Sequence, residues 1–153
     1  MTPITQTLFA EREDGHTAAG LPGNCLQAAV ASLLEVDLDQ VPHFALYRDW
    51  FAAMRRWARD TREGDFTYFS FPVEDRYAAG WQRVTEWGRE HGSHILLSGP
   101  SPRGPFWHVV VGDVDLQITH DPHPSRAGLV EVRDAIVYCT PYDPAPITLE
   151  ITP

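Results

Sequence analysis

"GLPGNCLQAAVASLLEVDLDQVP", residues 20–42, decides the fold: a turn-forming run stops at Asn24, and an apolar helical period starts with a thiol, Cys25. Over residues 25 to 35 the spacing puts Leu26, Ala29, Val30, Leu33 and Leu34 on one helical face, the pattern of a helix docked on a core. Asn24 is a favoured N-cap residue, and "DLDQVP" ends the segment. Cys25 therefore opens a helix. At such a position the first backbone N–H groups lack intrahelical acceptors and the macrodipole is positive, which favours a thiolate over a thiol and can bind an oxyanion. The plainer reading is a small residue packed beneath the first turn. A base is needed to decide.

"YRDWFAAMRRWARDTREG" over 47–64 carries Trp50, Phe51, Met54 and Trp57 at helical spacing and closes with Gly64. "DRYAAGWQRVTEWGREHG" over 75–92 repeats the pattern with Trp81, Val84 and Trp87. Both read as amphipathic helices whose aromatic stripes belong to a core or line a groove. From residue 93 the period shortens, giving strands at "SHILLSG", "FWHVVVGDV", "LQITHD" and "AIVYCTPY", separated by turns at "GPSPRGP", "GDVD" and "DPHPSRAG". Helices first and strands afterwards predict an α+β domain in which the Cys25 helix packs on a mostly antiparallel sheet.

The 153 residues, 43% of them hydrophobic, fit one domain spanning 1–153 with a real core. No signal-peptide hydrophobic region opens the chain and no run is long enough to span a bilayer, so a cytoplasmic protein without a membrane partner is expected. A net charge of −9 argues against nucleic acid as a partner. All twelve basic residues are Arg and the single Asn is Asn24, a bias that fits a gene rich in G and C. Two cysteines are too few for a disulfide framework or a cysteine-based zinc site. Cys139, in an apolar β-branched stretch, reads as a buried inert thiol.

Among the seven histidines, His108 stands apart, because "PFWHVVVGDV" places it near the start of a central strand. A rigid general base belongs at such a position. Alternation puts His108, Val110 and Gly112 on one face and Trp107, Val109 and Val111 on the other. "THDPHP" follows after the "GDVD" turn and a second strand, so a hairpin can bring Asp121 beside the His108 ring. Cys25, His108 and Asp121 then form a nucleophile, a base and an orienting carboxylate. A zinc or iron site from His120, Asp121, His123 and His108 is the competing reading of "THDPHP". It suffers because adjacent strand residues point to opposite faces and Pro122 and Pro124 restrict the rest.

"GNCLQAAVASLL" followed by "HVVV" and "HDP" resembles the papain-like cysteine peptidases, and within them the compact leader-cleaving peptidase domain of bacteriocin exporters. The resemblance covers the cysteine helix and the hairpin, roughly a third of the chain, in the family's order. It implies a papain-like α+β fold, with the nucleophile opening the central helix, and amide or thioester chemistry through an acyl-enzyme without a cofactor. The family carries a glutamine six residues before the cysteine, whose amide completes the oxyanion hole; that position is Ala19 here. Gln6 can take the role if "AEREDGHTAAGLPG" is an inserted loop that returns the chain to the site, and Asn24 and Gln27 are the other amide-bearing candidates.

The expected activity is hydrolysis of a peptide, isopeptide or other amide bond, with acyl transfer as the nearest variant. The substrate is a peptide or another amide-containing molecule, contacted by Asn24, Trp107 and Arg103, with Arg103 and Arg126 able to meet an anionic group. A non-catalytic binding module using the cleft beside Cys25 and the aromatic helices is the reading from another class, and a redox role for the Cys25 thiol is a further one.

Overall fold

The structure, a computed structural model, describes residues 1–70, 82, 85, 86, 88, 89 and 94–140. Helix α1 spans Cys25–Leu34 and is enclosed rather than one-sided: Leu26, Ala28, Ala29, Val30, Ala31 and Ser32 are all buried. This corrects the expected single apolar face, since Leu33 and Leu34 are only partly buried. Three alanines make the helix thin enough for neighbours to approach from several sides. Ser32 is tolerated inside because its Oγ donates to Ala28 O at 2.9 Å and accepts from Ile4 N at 2.9 Å.

Helix α2 spans Trp50–Arg62, shorter than 47–64 at both ends. The Asp49 side chain caps it, accepting from Ala52 N at 3.0 Å, and Arg59 and Arg62 complement the dipole in the last turn. The left-handed residue that stops it is Glu63, not Gly64. Gly64 serves a different purpose: a Cβ there would lie 2.2 Å from the Tyr138 hydroxyl oxygen, which donates to Arg62 O at 2.9 Å. Met54 and Ala58 are buried, and Trp50, Phe51 and Trp57 pack against the same core. The apolar positions of the expected helix over 75–92, Trp81, Val84 and Trp87, lie outside the described residues. Positions 82, 85, 86, 88 and 89 are helical.

Five strands follow: β1 Asp65–Ser70, β2 His94–Pro100, β3 Trp107–Asp113, β4 Ile118–His120 and β5 Asp134–Cys139. They form one sheet in the order β1-β5-β2-β3-β4, and every pairing is antiparallel. Strand β1 corrects the expectation that the first half is wholly helical. "DFTYFS" is aromatic and β-branched, and it folds back on α2 through Asp65, which binds Arg55 Nε and Nη2 at 2.9 and 2.6 Å. Strand β4 is shorter than "LQITHD" because Leu116 turns with φ 63° and the β3–β4 register shifts at Val111/Gly112.

The sheet separates two apolar layers. Phe66, Leu96, Val111 and Ile136 join Ala29, Val30 and Met54 on the helical side. Phe69, Ile95, Leu97, Val110, Ala135 and Val137 form the second layer. Each fully buried Leu, Ile or Val contributes about 1.5–3 kcal/mol by leaving water. Along β3, Val109 and Val111 pack with the first layer and Val110 with the second, as alternation requires. Cys139 is half-buried beside the second layer rather than fully enclosed. Helix α1 packs on β3 and β2, so the fold is α+β with helices preceding most of an antiparallel sheet. Among the described residues no helix is long and apolar enough to cross a membrane.

Register decides what lies beyond the N-terminus of α1. Tyr68, Ile136, Leu96 and Val111 form one row across four strands. The next row is Ser70, Asp134, Ser98 and Val109, and there the sheet becomes polar.

Candidate active site

Cys25, half-buried, is the first residue of α1, and no side chain caps that helix. Its first-turn N–H groups keep the polarity that attracts an anion. Asn24 holds the expected N-cap position, but its side chain makes no capping hydrogen bond and, against its expected role as a substrate contact, does not line the cavity that holds Cys25. Its Oδ1 accepts from Thr7 N at 3.0 Å and Leu8 N at 2.8 Å, and its Nδ2 donates to Thr7 Oγ1 and Gln27 Oε1, each at 3.1 Å. All four hydrogen-bonding places of the amide are filled, and the residue is 1% exposed. The N-terminal segment has taken the side chain that sequence alone assigns to the helix.

That segment brings Gln6 into the cavity that holds the thiol. Gln6 N donates to Pro122 O at 3.0 Å, Asn24 N to Leu8 O at 3.1 Å, and His120 Nε2 lies 2.9 Å from Ile4 O. The loop between Leu8 and Asn24 closes on itself through Arg12 N to His16 O and a bridge between His16 and Pro22. The Gln6 side chain is 4% exposed and lines the same cavity as Cys25 and His108. Its Nε2 donates one hydrogen to Leu8 O at 2.9 Å, which fixes the amide's orientation, while Oε1 is buried without a partner among the described residues. Gln27, by contrast, spends its amide on Asn24, Leu38 O and Val41 O.

His108, 2% exposed, places Nε2 2.7 Å from Asp121 Oδ1. With Nε2 taken by Asp121, Nδ1 is the nitrogen left to exchange a proton with the Cys25 thiol, whose proximity helps to raise the His108 pKa. Burial works against charge on the imidazole, but the interactions with Asp121 and Cys25 outweigh it. Burial likewise opposes the Asp121 charge. Hydrogen bonds from His108 and from the backbone N–H groups of His123 and Gly128, each at 2.8 Å, overcome it and hold the carboxyl at about 2.

Arg103 Nη1 stands 3.7 Å from Asp121 Oδ2 and 3.3 Å from Ser125 Oγ. It lines the cavity, but its charge already faces a carboxylate, so it is not a free receptor for an anion. Trp107 is 58% exposed at the rim. His123 stands edge-on to His108, 6.3 Å between ring centres. Ser125 N donates to His123 Nδ1 at 3.0 Å, so Nδ1 is unprotonated and Nε2 carries the hydrogen. His120 is engaged by the N-terminal segment and His123 by Ser125, and among the described residues no three or more His, Cys, Asp or Glu side chains are arranged to hold a metal ion.

The cavity, about 680 Å³, opens beside Cys25 and His108. Trp50 and Tyr68 form part of its wall, and Ser98 and Asp134 belong to its lining. Sequence reasoning missed Tyr68, Ser98 and Asp134, and only strand register brings them together. The constellation can move a proton from a thiol to an imidazole, hold the resulting cation with a carboxylate, and offer amide N–H groups to a developing oxyanion. Comparisons with protein-family models, with curated proteins and with solved structures returned no match.

Proposed function

We propose that this chain is a cysteine hydrolase of papain-like fold, cleaving a peptide, isopeptide or other amide bond through Cys25, His108 and Asp121. The observation that carries the reading is the His108 ring, buried between Asp121 at 2.7 Å and the thiol that opens α1, at the edge of a cavity large enough for a peptide segment. His108 Nδ1 takes the thiol proton, and the Cys25 sulfur attacks the carbonyl carbon. The oxyanion is met by the Cys25 backbone N–H and by the uncommitted Nε2 hydrogen of Gln6. Collapse breaks the carbon–nitrogen bond, and His108 gives its proton to the departing amine. Water then attacks the thioester with His108 as base, releasing the acid and restoring the thiol; an amine in place of water gives acyl transfer.

Intact-mass labelling with iodoacetamide across pH tests this without a substrate, comparing wild type with Cys25→Ala, Cys139→Ala and His108→Ala. The expected result is one adduct that forms rapidly below pH 7, is lost with Cys25→Ala, persists in Cys139→Ala and slows in His108→Ala. A Cys25 that is inert, or that labels equally fast without His108, removes the catalytic reading and leaves the cleft as a binding site.

A further inference from the structure

The floor of the cavity carries a buried carboxylate that the hydrolytic chemistry does not use. Asp134 is 6% exposed, lies in the polar row of the sheet one register step beyond the α1 core, and lines the cavity that holds Cys25 and His108. Its Oδ2 accepts from Ser98 Oγ at 3.1 Å, and burial together with the nearby Asp134 carboxyl raises the pKa of the Tyr68 phenol in the same cavity. The Ser98 hydroxyl is neutral and leaves the carboxyl without a cationic partner. Among the described residues no Arg, His or amino group pairs with Asp134, and Arg103, the basic side chain in the same cavity, is held against Asp121. A charge so placed is costly unless a cation joins it.

The walls fit that cation. Trp50 and Tyr68, packed edge-on with 6.2 Å between ring centres, line the cavity together with Asp134, as does the exposed Trp107. Aromatic faces attract guanidinium and ammonium groups, most strongly where water is excluded. The register puts Asp134 beside Ser98 and Ser98 beside Val109, the residue that follows His108, and the carboxylate, the thiol and the imidazole line one cavity.

We propose that Asp134, with Ser98, Tyr68 and Trp50, forms a recognition subsite for a basic side chain, so that the substrate presents an arginine or lysine next to the bond that Cys25 attacks. The proposal rests on the cavity being the substrate cleft. An alkyl stem lies along the aromatic walls while the charged head meets the carboxylate, a division of labour natural to long basic side chains.

Binding of pentylguanidinium and of neutral pentylurea, followed by tryptophan fluorescence and by calorimetry on the full chain, tests the subsite without requiring turnover. Wild type is expected to bind the guanidinium at least tenfold more tightly than the urea, and Asp134→Asn, which keeps an acceptor for Ser98, is expected to abolish that preference. No preference in wild type, or the same preference in a folded Asp134→Asn, overturns the subsite. The preference in wild type needs no variant, so a misfolded Asp134→Asn does not shield the proposal. Cys25 labelling is measured in parallel. Rapid labelling without guanidinium preference retains the hydrolase and removes the subsite, whereas preference with an inert Cys25 retains the subsite on a binding protein.

Discussion

His108 Nε2 lies 2.7 Å from Asp121 Oδ1, and both side chains are 3% exposed. Asp121 is itself held by the backbone N–H groups of His123 and Gly128, so the ring's orientation is inherited from the loop after β4. Asp121→Asn keeps the shape but offers an amide that can present N–H to Nε2, favouring the wrong tautomer. Hydrolysis is expected to fall about 10³–10⁴-fold, and the fall appears in kcat rather than KM. Turnover of a fluorogenic peptide with arginine next to the scissile bond measures it, and a loss below tenfold removes Asp121 from the mechanism.

The same pair sets a pH window for stability. Asp121, held at about 2 against an ordinary 3.8, contributes stability that is present above 3.8 and is lost as pH falls through the folded value. His108, raised above 6.5, contributes stability that is full below 6.5 and is lost as pH rises through its folded value. The joint contribution is therefore largest between 3.8 and 6.5. Urea unfolding of wild type and Asp121→Asn at a series of pH values is expected to show a gap of about 2 kcal/mol near pH 5 that closes towards pH 2. A gap that does not depend on pH contradicts the assignment.

Gln6 allows two kinds of thiol chemistry to be separated. Alkylation by iodoacetamide forms no oxyanion, whereas amide hydrolysis does. Gln6→Ala is expected to leave Cys25 alkylation within about twofold while lowering kcat about 10²–10³-fold. If both rates fall together, Gln6 shapes the thiol's surroundings rather than the transition state.

Asn24 shows why part of this site was legible in sequence and part was not. The helix, the thiol at its start, the His108 strand and the Asp121 hairpin all follow from local periodicity and turn residues, and the structure places those three side chains together. Gln6 was reachable only through the likeness to a family, since no local period links it to Cys25. The use of Asn24 as a clamp on Thr7 and Leu8, and the floor made by Ser98 and Asp134, depend on which distant segments meet. Such pairings are tertiary, and a capping propensity yields to them. Strand β1 was a different miss: "DFTYFS" carried its own strand signal, obscured by the aromatic sequence patterns of helical period on either side.

The clamp itself is testable. Asn24→Ala removes four buried hydrogen bonds and orphans the N–H groups of Thr7 and Leu8. The expected loss is about 2–4 kcal/mol in denaturant unfolding, with hydrolysis falling by at least tenfold below the melting range because Gln6 is no longer held. Stability lost with kcat retained in the folded protein breaks the link from Asn24 to Gln6.

Gly99 pairs with His108 across β2 and β3, and the loop after Asp121 crosses directly over it. Val130 N donates to Pro100 O at 2.9 Å and Arg133 N to Ser98 O at 2.8 Å, so the crossing is held on both sides of Gly99. A Cβ at 99 would lie 2.0 Å from Glu131 O, a contact that only backbone movement relieves. Gly99→Ala is expected to cost about 2–4 kcal/mol and to slow Cys25 labelling by shifting the strand that carries His108. Gly20→Ala is the contrast: φ is +81° there, but nothing lies within 4 Å of the added Cβ. Its cost is backbone strain of about 1 kcal/mol with labelling unchanged. Equal effects of the two substitutions on stability and labelling would show that the crossing over Gly99 plays no part in placing the base.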